Sequence, residues 1–178
     1  LALKALFEGD PALETFNMYW ETVRNKGLAT TAFDWEGLAA QAPIFLSRFE
    51  KMHAKHFDPM CLEQKMSVAI GDNVLEGTVD FIGKYKGRKV ITDWKTSFRR
   101  YDSNKIHSNE QLYIYHYLAN AVLDFEAEII NYKIFVKHDQ SIQSIEKPVT
   151  LQIVDNMMEN VVSYMNDLAK REVWLKNR

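Results

Sequence analysis

A mixed α/β fold, a central sheet with helices packed against it, is what this 178-residue sequence predicts, and three observations predict it. Apolar residues recur at helical spacing through the first third of the chain. From Leu62 the period changes to two, and turn residues interrupt it twice. Helical spacing then returns, gives way once more to an apolar strand, and closes the chain. That order suits one mixed sheet flanked by helices.

The first stretches, LALKALF and ALETFNMYWETVRNKG, place Leu13, Phe16, Tyr19, Trp20 and Val23 at helical spacing, with Gly27 as the stop. TTAFDWEGLAAQAPIFLSRFEKMHAKHF continues in that style from a cap at Thr31 or Asp34, takes a break or first turn at Pro43, and ends at Asp58-Pro59. CLEQKMSVAIG alternates up to the turn Gly71-Asp72-Asn73. VLEGTVDFIGKY then runs to a second turn at Lys86-Gly87-Arg88, and KVITDWKT follows. These three segments are expected to form an antiparallel meander, in which Val79 and Phe81 share one face and Glu76, Thr78 and Asp80 the other.

Ser103 to Asn109 reads as loop, and NEQLYIYHYLANAVLDF as a helix with Leu112, Tyr115, Leu118, Ala119, Val122 and Leu123 facing inward. AEIINYKIFVKH is a fourth strand and DQSIQSIEKP a polar, turn-like segment. TLQIVDNMMENVVSYMNDLAKREVWLK closes the chain as an amphipathic helix with Thr150 as candidate cap and Met157, Met158 and Met165 as core filler. One domain over residues 1–178 is expected, with a helical part to about residue 58, a core over about 60–138 and a last helix over about 150–175.

Hydrophobic residues make up 47% of the chain and charged residues 26%, which excludes a disordered or fibrous protein. A net charge of −2 and a pI of about 6.2 argue against gripping nucleic acid by bulk electrostatics, so any polyanion site must be a local groove. Cys61 is the single cysteine, which rules out an internal disulfide or an iron–sulfur cluster and suits a reducing compartment. No apolar run is long enough to span a bilayer, and Glu8 and Asp10 stand where a signal peptide would need a small-residue cleavage site. A cytoplasmic protein with no membrane contact is expected. The chain begins at Leu1 rather than methionine, which leaves room for a functional segment before it.

EGTVDFIGKYKGRKVITDWKTS sets Asp80 and Asp93 into two otherwise apolar strands and follows the second with Lys95. Ile91, Asp93 and Lys95 share a strand face. If the hairpin aligns like faces, Asp80, Asp93 and Lys95 converge. Two adjacent carboxylates resist joint ionisation unless a cation joins them. Mg²⁺ suits two carboxylates, a backbone carbonyl such as that of Trp94, and waters in octahedral array. A lysine one step beyond can orient water or stabilise charge developing on a phosphate oxygen, so the triplet fits phosphodiester hydrolysis.

The run Gly77-Thr78-Val79-Asp80-Phe81-Ile82, the hairpin, Val90-Ile91-Thr92-Asp93-Trp94-Lys95-Thr96-Ser97, and then Gln111 and Tyr115 in QLYIY resemble the PD-(D/E)XK nuclease superfamily in its RecB-like branch. The resemblance covers roughly residues 60 to 138. It implies a restriction-endonuclease-like αβββαβ core, a Mg²⁺ or Mn²⁺ site and cleavage of DNA, often as an exonuclease in recombination, repair or phage replication, in a bacterial or phage setting. Carried over by position, it implies Asp80 and Asp93 as metal ligands with the Trp94 carbonyl, Lys95 as the catalytic lysine, and Gln111 and Tyr115 as the pair that orients Lys95 and the DNA backbone. Glu63 on the first strand is a further candidate for the same site.

The chain departs from that branch at Leu3, where a metal-binding histidine is expected, and His53 and His56 are candidate substitutes. The departure motivates an alternative, a catalytically silent nuclease-fold domain that binds DNA or a partner protein within a recombination or replication assembly. Arg99, Arg100, Lys105 and His107 follow the catalytic strand, where they either grip phosphates or line a solvated loop. Trp94, Phe98 and Tyr101 are candidates for stacking on bases, Trp94 with the stronger claim to the core, and Tyr113, His116 and Tyr117 read as packing residues.

Overall fold

Five strands make one sheet in the order β1-β2-β3-β4-β5 in the computed structural model, which describes residues 1–26, 35–106 and 110–170. They are β1 (Phe57–Ile70), β2 (Asn73–Tyr85), β3 (Arg88–Ser97), β4 (Ile129–Val136) and β5 (Ser141–Pro148). Neighbours are antiparallel except β3 and β4, which run parallel from Val90↔Ile129 to Ser97↔Val136. A parallel pair needs a crossover, and α4 (Gln111–Leu123) provides it.

On one face lie α1 (Ala2–Glu8) and α3 (Trp35–Met52), with α2 (Ala12–Asn25) packed against both. Phe45 and Phe49 of α3 meet Phe57, Phe81, Tyr85, Val90 and Phe135 in an aromatic core. Phe57 anchors it, with ring centroids 5.0 Å from Phe81 and 4.5 Å from Tyr85. Each such ring contributes about 1.5–3 kcal/mol by leaving water. On the opposite face α4 and α5 (Leu151–Lys170) press Leu112, Leu118, Val154 and Met158 onto Val79, Ile82, Ile91 and Ile130. The amides of Ile153 and Val154 donate to the Thr150 carbonyl, which starts α5 at the expected cap.

Several boundaries differ from the sequence reading. The helix α3 runs through Pro43, whose missing amide costs only the bond to the residue 39 carbonyl on an exposed flank. Asp58 and Pro59 do not end a helix but lie inside β1, which starts at Phe57 rather than Leu62. An edge strand tolerates proline at a bulge, and the register slips between Pro59 and Cys61. Of DQSIQSIEKP only Asp139 and Gln140 lie in a turn: the residues from Ser141 form β5, an edge strand whose polar side chains discourage pairing with other chains. Val122 is 45% exposed, and Tyr113 and His116 take the inward positions on α4. Gly27, Thr31, Asp34 and His107 lie outside the described residues.

The β1 bulge presses on Gly83, where a Cβ would sit 2.2 Å from the Asp58 carbonyl oxygen and 3.0 Å from the Met60 nitrogen. Backbone atoms cannot rotate away as a side chain would. Gly83→Ala is therefore expected to lower unfolding free energy by about 1–3 kcal/mol, and urea denaturation beside wild type checks it. Equal midpoints would mean the bulge relaxes freely.

Candidate active site

The β2–β3 ladder runs from Tyr85↔Arg88 to Phe81↔Thr92 and stops. The next residues on the two strands are Asp80 and Asp93, so the sheet parts where the carboxylates begin. In the gap the Trp94 N–H donates to Asp80 Oδ2 at 2.8 Å, so a carboxylate stands in for a strand partner. Across β2, Glu63 of β1 has φ 50, while the register on either side, Leu62↔Phe81 and Gln64↔Val79, is kept.

Side-chain alternation reverses at this pair. Phe81 belongs to the aromatic core under α3, whereas Val79 lies in the core under α4. Gly77 shares the side of Val79, and a Cβ there would meet the Tyr115 ring at 3.1 Å. The expectation that Val79 and Phe81 share a face is thus corrected. A left-handed residue opposite Asp80 turns both strands over together.

On β3 the alternation holds, with Val90 and Trp94 toward the aromatic core and Ile91 toward α4. Trp94 packs edge-on at 5.5 Å from Phe49 and 5.4 Å from Phe57, which leaves its backbone as the part available to the site. Lys95 Nζ lies 2.8 Å from Asp93 Oδ2 and donates to Gln111 Oε1 at 3.0 Å. Gln111 Nε2 in turn donates to the Tyr115 hydroxyl at 2.8 Å. Four-residue spacing on α4 makes that last bond possible. Asp80, Asp93, Lys95, Gln111 and Tyr115 are therefore brought together by β2, β3 and α4.

The Asp93 side chain is 3% exposed and that of Lys95 30%. Burial pushes the Asp93 carboxyl up to about 6, the contact with Lys95 pulls it back, and the charge of Asp80 raises it further. Burial also raises Asp80, against the Trp94 amide and Lys95, and Glu63 adds to the rise. The Tyr115 hydroxyl is raised by burial too. Asp93 Oδ2 meets Lys95 as an ion pair. Two carboxyls held above their usual range, each raised further by the charge of a neighbouring carboxylate, fit a hard divalent cation. Among the described residues no three His, Cys, Asp or Glu side chains cluster as a cage. Asp80 and Asp93 could hold such an ion together with a backbone carbonyl and water, a donor set that suits Mg²⁺ or Mn²⁺.

Other candidates stand apart. His53 stacks on Phe49 at 5.9 Å, and burial and then the charge of Lys133 lower its pKa. His56 faces Tyr85 at 6.4 Å. Leu3 packs against the aromatic core. Glu63 lies on β1 across from Asp80, whose carboxyl its charge helps to raise. Arg100 is tied to Asp139 at 3.1 Å and Ser141 at 2.9 Å, a tether between strand ends. Arg99 is exposed. Lys105 stands in the 3₁₀ turn Ser103–Ile106, and its side chain lies outside the described residues. Phe98 is 60% exposed, its ring 5.5 Å from that of His138. The Tyr101 amide donates to Gln143 Oε1 at 2.9 Å.

Sequence reasoning passed over Tyr132, which pairs with Asp93 in the β3–β4 register and places its ring centroid 5.9 Å from Lys95 Nζ. Its buried hydroxyl has no hydrogen-bond partner among the described residues. The one signal was a tyrosine in a buried strand that also carries Asn131, Lys133 and Phe135.

The model of the PD-(D/E)XK nuclease superfamily matches residues 6–173, which include the split strands and α4. The chain belongs to the PD-(D/E)XK nuclease superfamily. Its five-stranded mixed sheet flanked by helices agrees with the restriction-endonuclease-like fold of that superfamily. A solved structure from Eubacterium rectale, provisionally described as an exonuclease, shares the fold with a TM-score of 0.60 at 15% identity, over 94% of this chain and 64% of that one. The chain thus spans less than two thirds of that neighbour's length. The structure of a protein called SSO0001 aligns with a TM-score of 0.41 at 17% identity, over 83% of this chain and 67% of that one. No curated protein matches the chain. Among the described residues no helix of this PD-(D/E)XK chain is long and apolar enough to cross a membrane.

Proposed function

We propose that this chain is a divalent-metal-dependent deoxyribonuclease of the RecB-like kind that hydrolyses phosphodiester bonds from strand ends, in recombination, repair or phage replication. The observation that carries the reading is the meeting of Asp80, Asp93 and Lys95 where β2 and β3 part, with Gln111 and Tyr115 behind the lysine. The description of the Eubacterium rectale neighbour as an exonuclease supports the same class.

Asp80 and Asp93 would hold Mg²⁺ or Mn²⁺ with the Trp94 carbonyl, and no iron–sulfur cluster takes part. When bound, the ion supplies Lewis acidity for water attack on phosphorus and for charge on the phosphate. Asp93 and Gln111 hold the Lys95 ammonium in place, so that it meets a phosphate oxygen without reorganising as charge develops. Tyr115 fixes Gln111 from the next turn of α4. Arg99, which is exposed beyond the catalytic strand, would meet the DNA backbone.

The test is degradation of end-labelled single- and double-stranded linear DNA, and of closed circles, with Mg²⁺, Mn²⁺ or EDTA. Wild type should cut the linear substrates only with metal, and Lys95→Ala should cut them about 10²–10³-fold more slowly. Circles cut as readily as linear DNA would remove the strand-end reading. Leu3, packed into the aromatic core where the branch carries a histidine, favours a second reading, the silent DNA-binding or interaction domain. Retained DNA binding without cleavage under either metal would select it.

A further inference from the structure

Lys95 is free to leave the site in a way that Asp93 is not. Its side chain is 30% exposed where that of Asp93 is 3%, and a long unbranched chain that borders solvent gains rotamer freedom by swinging into it. Two of the three ammonium N–H groups have partners, Asp93 Oδ2 at 2.8 Å and Gln111 Oε1 at 3.0 Å. A third contact comes from the neighbouring strand. Lys95 Nζ stands over the ring of Tyr132, 5.9 Å from its centroid.

The ring is itself well fixed. Tyr132 pairs with Asp93 in the β3–β4 register and is 1% exposed. The Tyr101 ring meets it edge-on at 6.5 Å, and the Gln143 side chain holds Tyr101 through both its amide and its carbonyl, at 2.9 Å each. The Tyr132 hydroxyl is buried without a hydrogen-bond partner among the described residues, so the part of the side chain that meets Lys95 is the ring. The face of an aromatic ring attracts a cation, most strongly where water is excluded. A metal ion held by Asp93 competes with Lys95 for the charge of that carboxylate. The ring and Gln111 are uncharged, and they hold the ammonium whether or not the ion is bound.

We propose that Tyr132 is a positioning residue for Lys95, its ring holding the ammonium beside Asp93 and Gln111 and leaving the remaining N–H to the substrate phosphate. The proposal rests on the nuclease reading for the identity of the group that Lys95 meets. An ammonium held in advance stabilises charge that develops only in the transition state, so the ring acts on kcat and leaves KM nearly unchanged.

The test replaces Tyr132 in three ways. Phe keeps the ring, a trifluorinated phenylalanine keeps its shape but withdraws the negative charge from its face, and Leu removes it. Cleavage of end-labelled linear DNA with Mg²⁺ gives kcat and KM. Acetylation of Lys95 in EDTA, read on its peptide by mass spectrometry, reports how firmly the ammonium is held without any turnover. Tyr132→Leu and the fluorinated ring should lower kcat about tenfold with KM within about twofold, and should speed acetylation of Lys95 about threefold. Tyr132→Phe should restore both toward wild type. A fluorinated ring as active and as protective as Phe would overturn the proposal, and so would Tyr132→Phe failing as badly as Tyr132→Leu. Should Tyr132→Leu not fold, the comparison of the two rings still decides. Cleavage by wild type, with rates and acetylation indifferent to the ring, removes this proposal alone. Acetylation that follows the ring, without cleavage by wild type under Mg²⁺ or Mn²⁺, removes the nuclease reading alone.

Discussion

Asp93→Asn is expected to abolish metal-dependent cleavage, by about 10³-fold or more, while making the metal-free protein more stable. The first half follows from the donor set: with two carboxylates available, losing one halves the charge that holds the ion, and metal assistance contributes several kcal/mol to a transition state of this type. The second half follows from burial. Asp93 lies at 3% exposure with a carboxyl raised despite the lysine beside it, so the fold disfavours its charged form. A neutral amide of the same shape removes that penalty, and Lys95 keeps Gln111 and partial exposure to water. Functional sites often hold groups that stability alone would not select. Thermal melts in EDTA and in Mg²⁺ check it: Mg²⁺ should raise the melting temperature of wild type and leave the variant unmoved. A variant that still gains from Mg²⁺ would place the ion elsewhere.

The charged members of this site were legible because they break an apolar rhythm. Asp80, Asp93 and Lys95 interrupt strands that otherwise read as core, and Gln111 and Tyr115 fall one helical turn apart. The reversal of faces at Asp80 was not legible, because it depends on Glu63 adopting a left-handed backbone, a conformation that sequence flags only where glycine or asparagine stands. The strand β5 was hidden for a different reason. Its polar residues match solvent on an edge, and a solvated edge and a turn share a composition. Pro59 misplaced the start of β1 because proline ends helices and also sits at bulges of edge strands, and only the pairing with Gly83 distinguishes the two. Tyr132 escaped because it lies in a fully buried strand that carries Asn131 and Lys133 as well, so a tyrosine there reads as one more packing residue.

In EDTA, the stability that wild type lacks relative to Asp93→Asn should grow as pH rises from about 4 to 7, by about 3 kcal/mol. The Asp93 carboxyl is raised from 3.8 to about 6 in the folded protein. Below the lower value both folded and unfolded chains are protonated and the carboxyl contributes no difference. Between the two values the unfolded chain releases a proton that the folded one retains, so rising pH favours unfolding. Above the upper value the loss is complete, at roughly 1.4 kcal/mol for each unit of separation. Asp80, also raised, acts in the same direction in both proteins. His53 and His116, lowered mainly by burial, act oppositely and cost stability as pH falls. The difference between wild type and variant cancels the histidines and leaves Asp93 with its coupling to Asp80. Urea denaturation of both proteins at each pH gives that difference. Parallel curves would mean that Asp93 ionises as easily in the fold as outside it, and the case for a carboxylate pair that a cation must relieve would fall with that result.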